Sequence, residues 1–164
     1  MMKHFAAVLV AACALTAAAD AQNASEIAAV QAGRDCPGCN LFQADLAYHD
    51  LPGVDVSGAR LRQADLSLAT MNRARFDRAD LSVANLFGAR FTGASFRRAD
   101  LTRATLVGAH FGGADLGGAT LAGANLSGAE LAGAHGLTQA QLNTACGDSR
   151  TTLPGGLSIR PCAR

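Results

Sequence analysis

The sequence predicts an all-β solenoid, and two regularities carry that prediction. From Leu41 to Leu131 every fifth residue is Leu, Phe, Met or Val, nineteen times in succession. The residue two positions earlier is Ala in sixteen of those nineteen repeats. Internal repeats of this kind take precedence over helix or strand assignments made in short windows. This part of the chain is therefore a repeat protein.

A five-residue period fits neither regular secondary structure. On a helix, successive large residues would be rotated by about 140° and form no single face, and along a flat strand they would alternate between faces. A chain that turns once per repeat keeps the large residue, here called the central residue, inside together with the inner Ala two before it. Such coils stack at the strand spacing of about 4.8 Å. The other three positions of each repeat then face outward.

The triplets Ala64-Asp65-Leu66, Ala79-Asp80-Leu81 and Ala124-Asn125-Leu126 show the repeat most plainly. With such units over about residues 39–135, the chain resembles the pentapeptide-repeat family. That resemblance implies a right-handed quadrilateral β-helix with four repeats, hence twenty residues, per coil.

The first repeats depart from the pattern. Cys39, His49 and Val54 stand where the inner Ala is expected, and Pro52-Gly53 interrupts the outward pair. We therefore expect a less regular first coil, in which His49 is a hydrogen-bonded structural residue.

Residues 1–21 are predicted to be a secretory signal peptide. Lys3 precedes an apolar stretch over residues 5–19, and Ala19-Asp20-Ala21 offers the small residues that a signal peptidase needs. Cleavage after Ala21 predicts a periplasmic or secreted protein with no transmembrane segment after signal removal. The alternative is a lipoprotein signal, in which Val10-Ala11-Ala12-Cys13 is the lipobox and Cys13 is lipidated.

Both ends of the solenoid, predicted over residues 39–136, need covers because stacked coils expose unpaired edges. Residues 22–38 are the predicted N-terminal cap, with Ser25 capping a short helix that contains Ile27 and Val30. Residues 137–164 are the predicted C-terminal cap. There Thr138-Gln139-Ala140-Gln141 reads as a capping box that opens a short helix to about Cys146.

Four cysteines remain after signal removal, namely Cys36, Cys39, Cys146 and Cys162. An even number in an exported chain indicates disulfides, and three pairings are conceivable. About five coils separate the two ends by roughly 20 Å, whereas bridged cysteines need Cα atoms within about 7 Å. The favoured pairs are therefore Cys36 with Cys39 and Cys146 with Cys162. The same separation argues against a four-cysteine zinc site.

Outward Asp residues recur just before the central residue and are expected to belong to the fold before they serve any site: Asp45, Asp50, Asp55, Asp65, Asp80, Asp100 and Asp115. In the interior, Phe91 and Phe111 fall in one column of a twenty-residue coil, and Phe76 and Phe96 fall in the next. Stacked rings are therefore expected in the core.

Basic residues concentrate in the middle of the rod. Residues 60–103 hold nine Arg against four Asp, whereas residues 104–135 hold no Arg. An Arg cluster suits phosphate, carboxylate or an anionic polysaccharide. Six arginines on two adjacent faces form the candidate anion-binding surface: Arg73, Arg75, Arg78, Arg90, Arg97 and Arg98.

A second candidate surface is an apolar column that carries no Arg. It consists of Tyr48, Leu68, Phe87 and Val107, which take outward positions on successive coils of one face. Aligned exposed apolar residues are typical of a partner surface or of a homodimer.

These features favour an exported, non-enzymatic module with a structural or protein-interaction role. The interior is filled, a convex rod offers no cleft, and no catalytic or metal-ligand motif occurs. No cofactor, metal, catalytic residue or nucleic acid is expected. The partner would be an unknown protein or an anionic component of the cell envelope.

Two alternatives stay open. Some pentapeptide-repeat proteins resemble a DNA duplex in size and negative charge and bind DNA gyrase, which requires an acidic cytoplasmic rod. This chain has a net charge of +1. The other alternative is a thiol-disulfide oxidoreductase that uses Cys36 and Cys39, although no βαβ pattern surrounds Cys36-Pro37-Gly38-Cys39.

Overall fold

The computed structural model describes residues 22–163; the predicted signal peptide and Cys13 lie outside the described residues. From position 40 to position 115, every fifth residue forms a parallel backbone bridge with the residue twenty positions later, beginning with Asn40 and Arg60 and ending with Asp115 and His135. This bridge position lies between the inner Ala and the central residue. One coil of the solenoid therefore contains twenty residues and four bridge positions. The bridges are isolated residues, and no longer strand forms within residues 22–163.

A tight turn follows each central residue. The N–H of the next inner Ala donates to the carbonyl of the central residue, as from Ala64 N to Leu61 O at 3.0 Å. From position 43 to position 128 the second turn residue has a positive φ, which glycine adopts without strain, as Gly58 does at 68°. For other residue types this conformation costs about 1–2 kcal/mol per residue. Nine of them nevertheless take positive φ: Gln43, Tyr48, Gln63, Leu68, Arg73, Arg78, Val83, Arg98 and Arg103.

The central residues and the inner Ala residues form one continuous core. Every central residue from Leu41 to Leu131 is at most 3% exposed. The predicted phenylalanine stacks are confirmed: the rings of Phe76 and Phe96 stack with centroids 4.7 Å apart, and those of Phe91 and Phe111 with centroids 5.4 Å apart. The two stacks also touch edge to face, as between Phe91 and Phe96. The interior therefore contains a compact aromatic block.

The first coil keeps the bridge register of the others, but its turns are less regular, as expected. Val54 N makes no hydrogen bond to Leu51 O, and His49 N lies 3.3 Å from Leu46 O, longer than the same contact in later repeats. All four of its bridge positions, Asn40, Asp45, Asp50 and Asp55, pair with the second coil. Val54 is accommodated at the inner position, where it is 2% exposed. The larger inner side chains do not break the coil because only backbone groups form the bridges.

The N-terminal cover is the helix α1, Ala24–Gln31. Its N-cap is Asn23, whose side chain accepts from Glu26 N, so the prediction that Ser25 caps the helix is wrong. Ser25 Oγ instead donates to Asn23 Oδ1 at 2.8 Å. Val30 is fully buried against the first coil.

Polar side chains of this N-terminal segment occupy the open edge of the first coil. Glu26 Oε2 accepts from Asn40 N at 2.6 Å, and Gln31 Nε2 donates to Asp45 O at 2.8 Å. Asp35 Oδ1 accepts from Asp55 N at 2.8 Å. The cover thus supplies hydrogen bonds that a preceding coil would otherwise make.

The C-terminal cover begins with the helix α2, Gln139–Leu142, and its predicted capping box between Thr138 and Gln141 is confirmed. The helix ends at Leu142 and not near Cys146, because the chain resumes the solenoid there. Leu142 and Ala145 fill interior positions, and Cys146 bridges to Asn125. Thr152 likewise bridges to Glu130. Solenoid pairing therefore continues past residue 136.

Candidate functional site

The outward Asp and Asn residues at the bridge positions hold the turns. Asp65 Oδ1 accepts from Ser67 N at 2.9 Å, a contact that fixes the start of the turn. The same contact occurs at Asn40, Asp45, Asp55, Asp80, Asn85, Asp100, Asp115 and Asn125. Asp50 is the exception, because the residue two positions later is Pro52, which has no N–H. These residues are structural parts of the rod.

Long side chains at the second turn position lie over the coil that follows. An ideal Cβ on Gly93 would lie 3.5 Å from Arg73 Cγ, and one on Gly118 would lie 3.3 Å from Arg98 Cγ. Arg103 lies over Gly123 in the same way, with a distance of 3.2 Å. Glycine in the next coil thus leaves room for the stem of the arginine. The guanidinium groups are carried along the rod toward its C-terminal end.

Three of the six candidate arginines meet in one cleft. Arg78, Arg97 and Arg98 line it together with Asp77, and its volume is about 220 Å³. Arg97 Nε lies 3.8 Å from Asp115 Oδ2, at the edge of ion-pair distance. Within residues 22–163, Arg78 and Arg98 make no side-chain hydrogen bond or ion pair. We call this group the arginine cleft.

The other three candidates lie apart from the arginine cleft. Arg75 is paired with acidic groups, because its guanidinium lies 3.3 Å from Asp55 Oδ2 and 4.0 Å from Asp77 Oδ2. Arg73 lines a separate shallow cleft of about 440 Å³. Arg90 holds a bridge position one repeat before Arg97 and Arg98. The predicted six-arginine surface is therefore divided.

The apolar column is exposed as a set. The side chains of Tyr48, Leu68 and Phe87 are 76%, 44% and 47% exposed, and Val107 is half-buried. Backbone hydrogen bonds stack their turns directly, as from Leu68 N to Phe87 O at 2.8 Å. Val83, which is 41% exposed, lies one repeat before Phe87 and was missed by the sequence analysis. Val83 holds the second turn position of its repeat, which faces outward, and this position was enough to predict its exposure.

The four cysteines occur as two disulfide pairs. The Cα atoms are 5.5 Å apart in Cys36–Cys39 and 4.7 Å apart in Cys146–Cys162. Cys36 N donates to Asp55 O, so this segment forms the last turn of a partial coil that precedes the first one. The helix α1 ends at Gln31, before Cys36. No helix N-terminus within the described range is therefore placed to stabilise a Cys36 thiolate.

The described histidines do not form a shared site. His49 Nδ1 donates to Ala47 O at 2.9 Å, which agrees with its expected structural role. His110 Nδ1 lies 2.8 Å from Glu130 Oε2 in the next coil. His135 lies at the bridge position above Asp115, one repeat beyond the His110 column. In residues 22–163, no cluster of three or more His, Cys, Asp or Glu side chains could hold a metal ion.

Two carboxyl groups in the part of the chain that the structure describes have lowered pKa values. The Ser57 hydroxyl, the Ser57 N–H at 2.9 Å and the Arg75 guanidinium hold the pKa of Asp55 below its ordinary 3.8, against a smaller opposing effect of burial. Ser57 Oγ makes no hydrogen bond of good geometry, so the Ser57 N–H is the better-defined contact. Asp148 Oδ1 accepts from Gly128 N at 2.8 Å, which lowers the pKa of Asp148, and contacts with Arg150 act in the same direction.

A cavity of about 530 Å³ lies between the C-terminal tail and the last coils and is lined in part by Ser127, Ile159 and Cys162. Its walls hold one acidic side chain, Asp148, which is engaged by Gly128 and Arg150. Among residues 22–163 there is no helix with the length and apolar character needed to cross a membrane.

Comparison with known proteins agrees with the repeat geometry. A family model described as pentapeptide repeats (8 copies) matches residues 39–82, 84–121 and 109–146. No curated protein gives a significant match.

Several solved structures also match. A pentapeptide repeat protein from the Arabidopsis thaliana thylakoid lumen is 32% identical over 60% of this chain and 68% of its own, with a TM-score of 0.39. One from the cyanobacterium Cyanothece 51142 is 26% identical over 79% of this chain and 97% of its own, with a TM-score of 0.45. One from Nostoc PCC 7120 is 27% identical over 84% of this chain and 88% of its own, also with a TM-score of 0.45.

Proposed function

The chain belongs to the pentapeptide-repeat family, and from that premise we propose that it is an exported, non-enzymatic module that binds a protein partner through its outer surface. We further propose that each coil is a right-handed quadrilateral. Four bridge positions in every twenty residues support the four sides. Side chains of the core leave no interior room for a ligand, so binding falls to the outward positions.

The exposed apolar column is the observation that carries the proposal. Tyr48, Leu68 and Phe87 expose large apolar side chains on stacked turns of one face. Aligned apolar side chains that water would otherwise cover favour association with a complementary surface. The turns of the next face hold mainly small or polar residues, such as Asn72, Thr92 and Gly93.

The cysteine pairs support export to the periplasm or the medium. Disulfides persist in oxidising compartments and are rare in the cytosol. Both pairs lie at the ends of the solenoid, where they hold the covers. The signal peptide over residues 1–21 and the lipidation of Cys13 as its alternative remain predictions from the sequence.

Site-specific photocrosslinking tests the partner surface. A benzophenone amino acid replaces Phe87 in the full chain expressed in cells, and a matched variant carries it at Thr92. Thr92 is exposed and holds the same first turn position one repeat later, on the next face. We expect one discrete adduct from position 87 and none from position 92. An adduct of twice the chain mass identifies a second copy as the partner.

Equal crosslinking at both positions, or none at either, would show that the apolar column binds nothing specific. Replacing Leu68 by Ser provides the second test. It should reduce the adduct from position 87 without unfolding the rod, because Leu68 is 44% exposed.

A further inference from the structure

We propose that Arg78, Arg97 and Arg98 form a binding site for a phosphate monoester group. The arginine cleft lies two repeats from the apolar column along each coil. It is therefore independent of the proposed partner surface, and either proposal can fail alone.

Stacking brings the three guanidinium groups together. Arg78 and Arg98 hold the same second turn position in successive coils, with φ of 57° in both. Arg78 N donates to Arg97 O at 2.9 Å, so the two turns lie directly against each other. Coils stack at about 4.8 Å. Like charges are thus held closer than a Debye length, and an anion between them relieves their repulsion.

The charge of the cleft is not cancelled by its own acidic residue. Asp77 Oδ1 accepts from Arg97 N at 3.1 Å and from Ser95 Oγ, so this carboxylate is engaged by the rod itself. Three arginines and one aspartate line the cleft, which leaves a formal charge of +2. Asp115 lies outside this lining and offsets part of the charge of Arg97, whose Nε is 3.8 Å from Asp115 Oδ2. Arg78 and Arg98 make no side-chain hydrogen bond or ion pair in the described part of the chain. Their donors are therefore available to a ligand.

Phosphate monoester fits these donors better than carboxylate does. It carries a charge near −2 and three acceptor oxygens, whereas a carboxylate carries one charge and two oxygens. Arg presents a planar fork of donors that matches phosphate oxygens. A cleft of about 220 Å³ equals roughly seven water volumes at about 30 Å³ each. It has room for a phosphate and for the first atoms of the molecule that carries it.

The turns on either side of the cleft leave space for that carrier. Gly58, in the preceding coil, has open space where a Cβ would lie. In the following coil both turn residues, Gly117 and Gly118, are glycine. The three arginines are therefore flanked along the rod by turn residues that have no side chains. This arrangement suits a phosphate displayed at the end of a larger molecule.

Titration with inorganic phosphate at constant ionic strength, followed by NMR of the arginine Nε–H groups, is the first experiment. We expect saturable shifts for Arg78 and Arg98. Arg98→Gln should weaken binding by about tenfold or more, because it removes charge-assisted hydrogen bonds. The matched control is Arg103→Gln, since Arg103 has φ of 56° and lies over Gly123 as Arg98 lies over Gly118. This control should leave binding unchanged.

Equal loss of binding in the two variants would overturn the proposal, since it would mean a diffuse basic surface. Glucuronate that binds as tightly as phosphate, with the same dependence on Arg98, would also overturn it in favour of carboxylate.

Vesicles with phosphatidic acid or phosphatidylglycerol then identify the carrier. Binding to the monoester lipid that Arg98→Gln abolishes points to a membrane lipid. Binding of inorganic phosphate alone, with the same variant pattern, supports the site and points to a soluble carrier.

Discussion

The side chain of Leu68 lies over Gly88, the residue that holds the same turn position one coil later. An ideal Cβ on Gly88 would come within 2.7 Å of Leu68 Cδ2. One further coil along the rod, Gly108 has a similar φ of +66° but open space around its ideal Cβ. The two glycines therefore share a backbone conformation and differ in what covers them.

Alanine at these two positions should separate strain from overlap. Gly88→Ala and Gly108→Ala should each lose about 1 kcal/mol because both hold positive φ. Gly88→Ala should lose more, since the new methyl group displaces Leu68. Urea unfolding measures both free energies. Equal losses would show that Leu68 moves aside without cost.

Replacing Val83 by glycine should remove backbone strain from its turn. This β-branched residue holds φ of 59°, which is rare for its type. Val83→Gly should raise the free energy of unfolding by about 1 kcal/mol. Val107→Gly is the control, because Val107 holds the first turn position and is not among the residues with positive φ. It should lower stability by about 0.5–1 kcal/mol. A loss of stability in both variants would contradict the prediction.

The two disulfides should differ in their effect on stability. Cys146–Cys162 closes a loop with a sequence separation of 16, and Cys36–Cys39 closes one of 3. Chain entropy predicts a loss of about 3 kcal/mol when both cysteines of the longer loop become serine. Replacing the Cys36–Cys39 pair should cost less. Thermal unfolding of the two double variants makes the comparison, and a larger loss from the short loop would refute it.

Acid should destabilise the rod through its lowered carboxyl pKa values. The pKa values of Asp55 and Asp148 are lower in the folded chain than the ordinary 3.8. Their contribution to stability is therefore present above the unfolded pKa, and it is lost as pH falls through the folded pKa. The melting temperature should stay level from about pH 7 to pH 5 and fall below about pH 4.

Asp55→Asn should flatten that fall. Asp50→Asn serves as the control, because Asp50 holds the same repeat position and accepts no hydrogen bond from the described residues. Identical acid profiles for the two variants would show that the contacts of Asp55 do not matter.

The spacing of apolar residues was sufficient to predict the solenoid and its core. A period of five leaves one way to bury both the central residue and the inner Ala, so Leu66, Ala64 and the phenylalanine columns were predictable. The number of repeats per coil was not, because the period is the same for a coil of any number of sides. The pairing of Asn40 with Arg60, twenty positions apart, shows directly that one coil contains four repeats.

Local competition explains the errors at the ends. Asn23 and Ser25 are both good N-cap residues, and only Asn23 lies three positions before a free N–H that its side chain reaches, that of Glu26. Leu142 and Ala145 have the spacing of a central residue and the next inner Ala. Because both are buried in the core in those positions, α2 ends at Leu142. Neither outcome follows from residue propensity alone.

The arginine cleft was only partly predictable. Sequence position places arginines on faces, but their grouping depends on which way each long side chain leans. Arg75 turns toward Asp55, whereas Arg98 follows the rod over Gly118. Repeat spacing contains no information about those rotamers. For this reason only three of the six arginines predicted to form the anion-binding surface lie together in the cleft.

Because the bridges join positions twenty residues apart, the length of this rod can be changed by deleting or inserting whole coils of twenty residues. Each coil contacts its neighbours mainly through backbone groups and through columns of like side chains, such as Leu61, Leu81 and Leu101. Removing residues 101–120 would join Asp100 to Leu121 and keep every column in step. Gln141 Nε2 of the C-terminal cover, which donates to Leu116 O and Ala119 O, would then meet the carbonyls of Phe96 and Ala99, which hold the same positions one coil earlier. The distance between the two ends would shorten by one increment of about 4.8 Å. The molecule is in this sense a ruler, graduated in units of one coil.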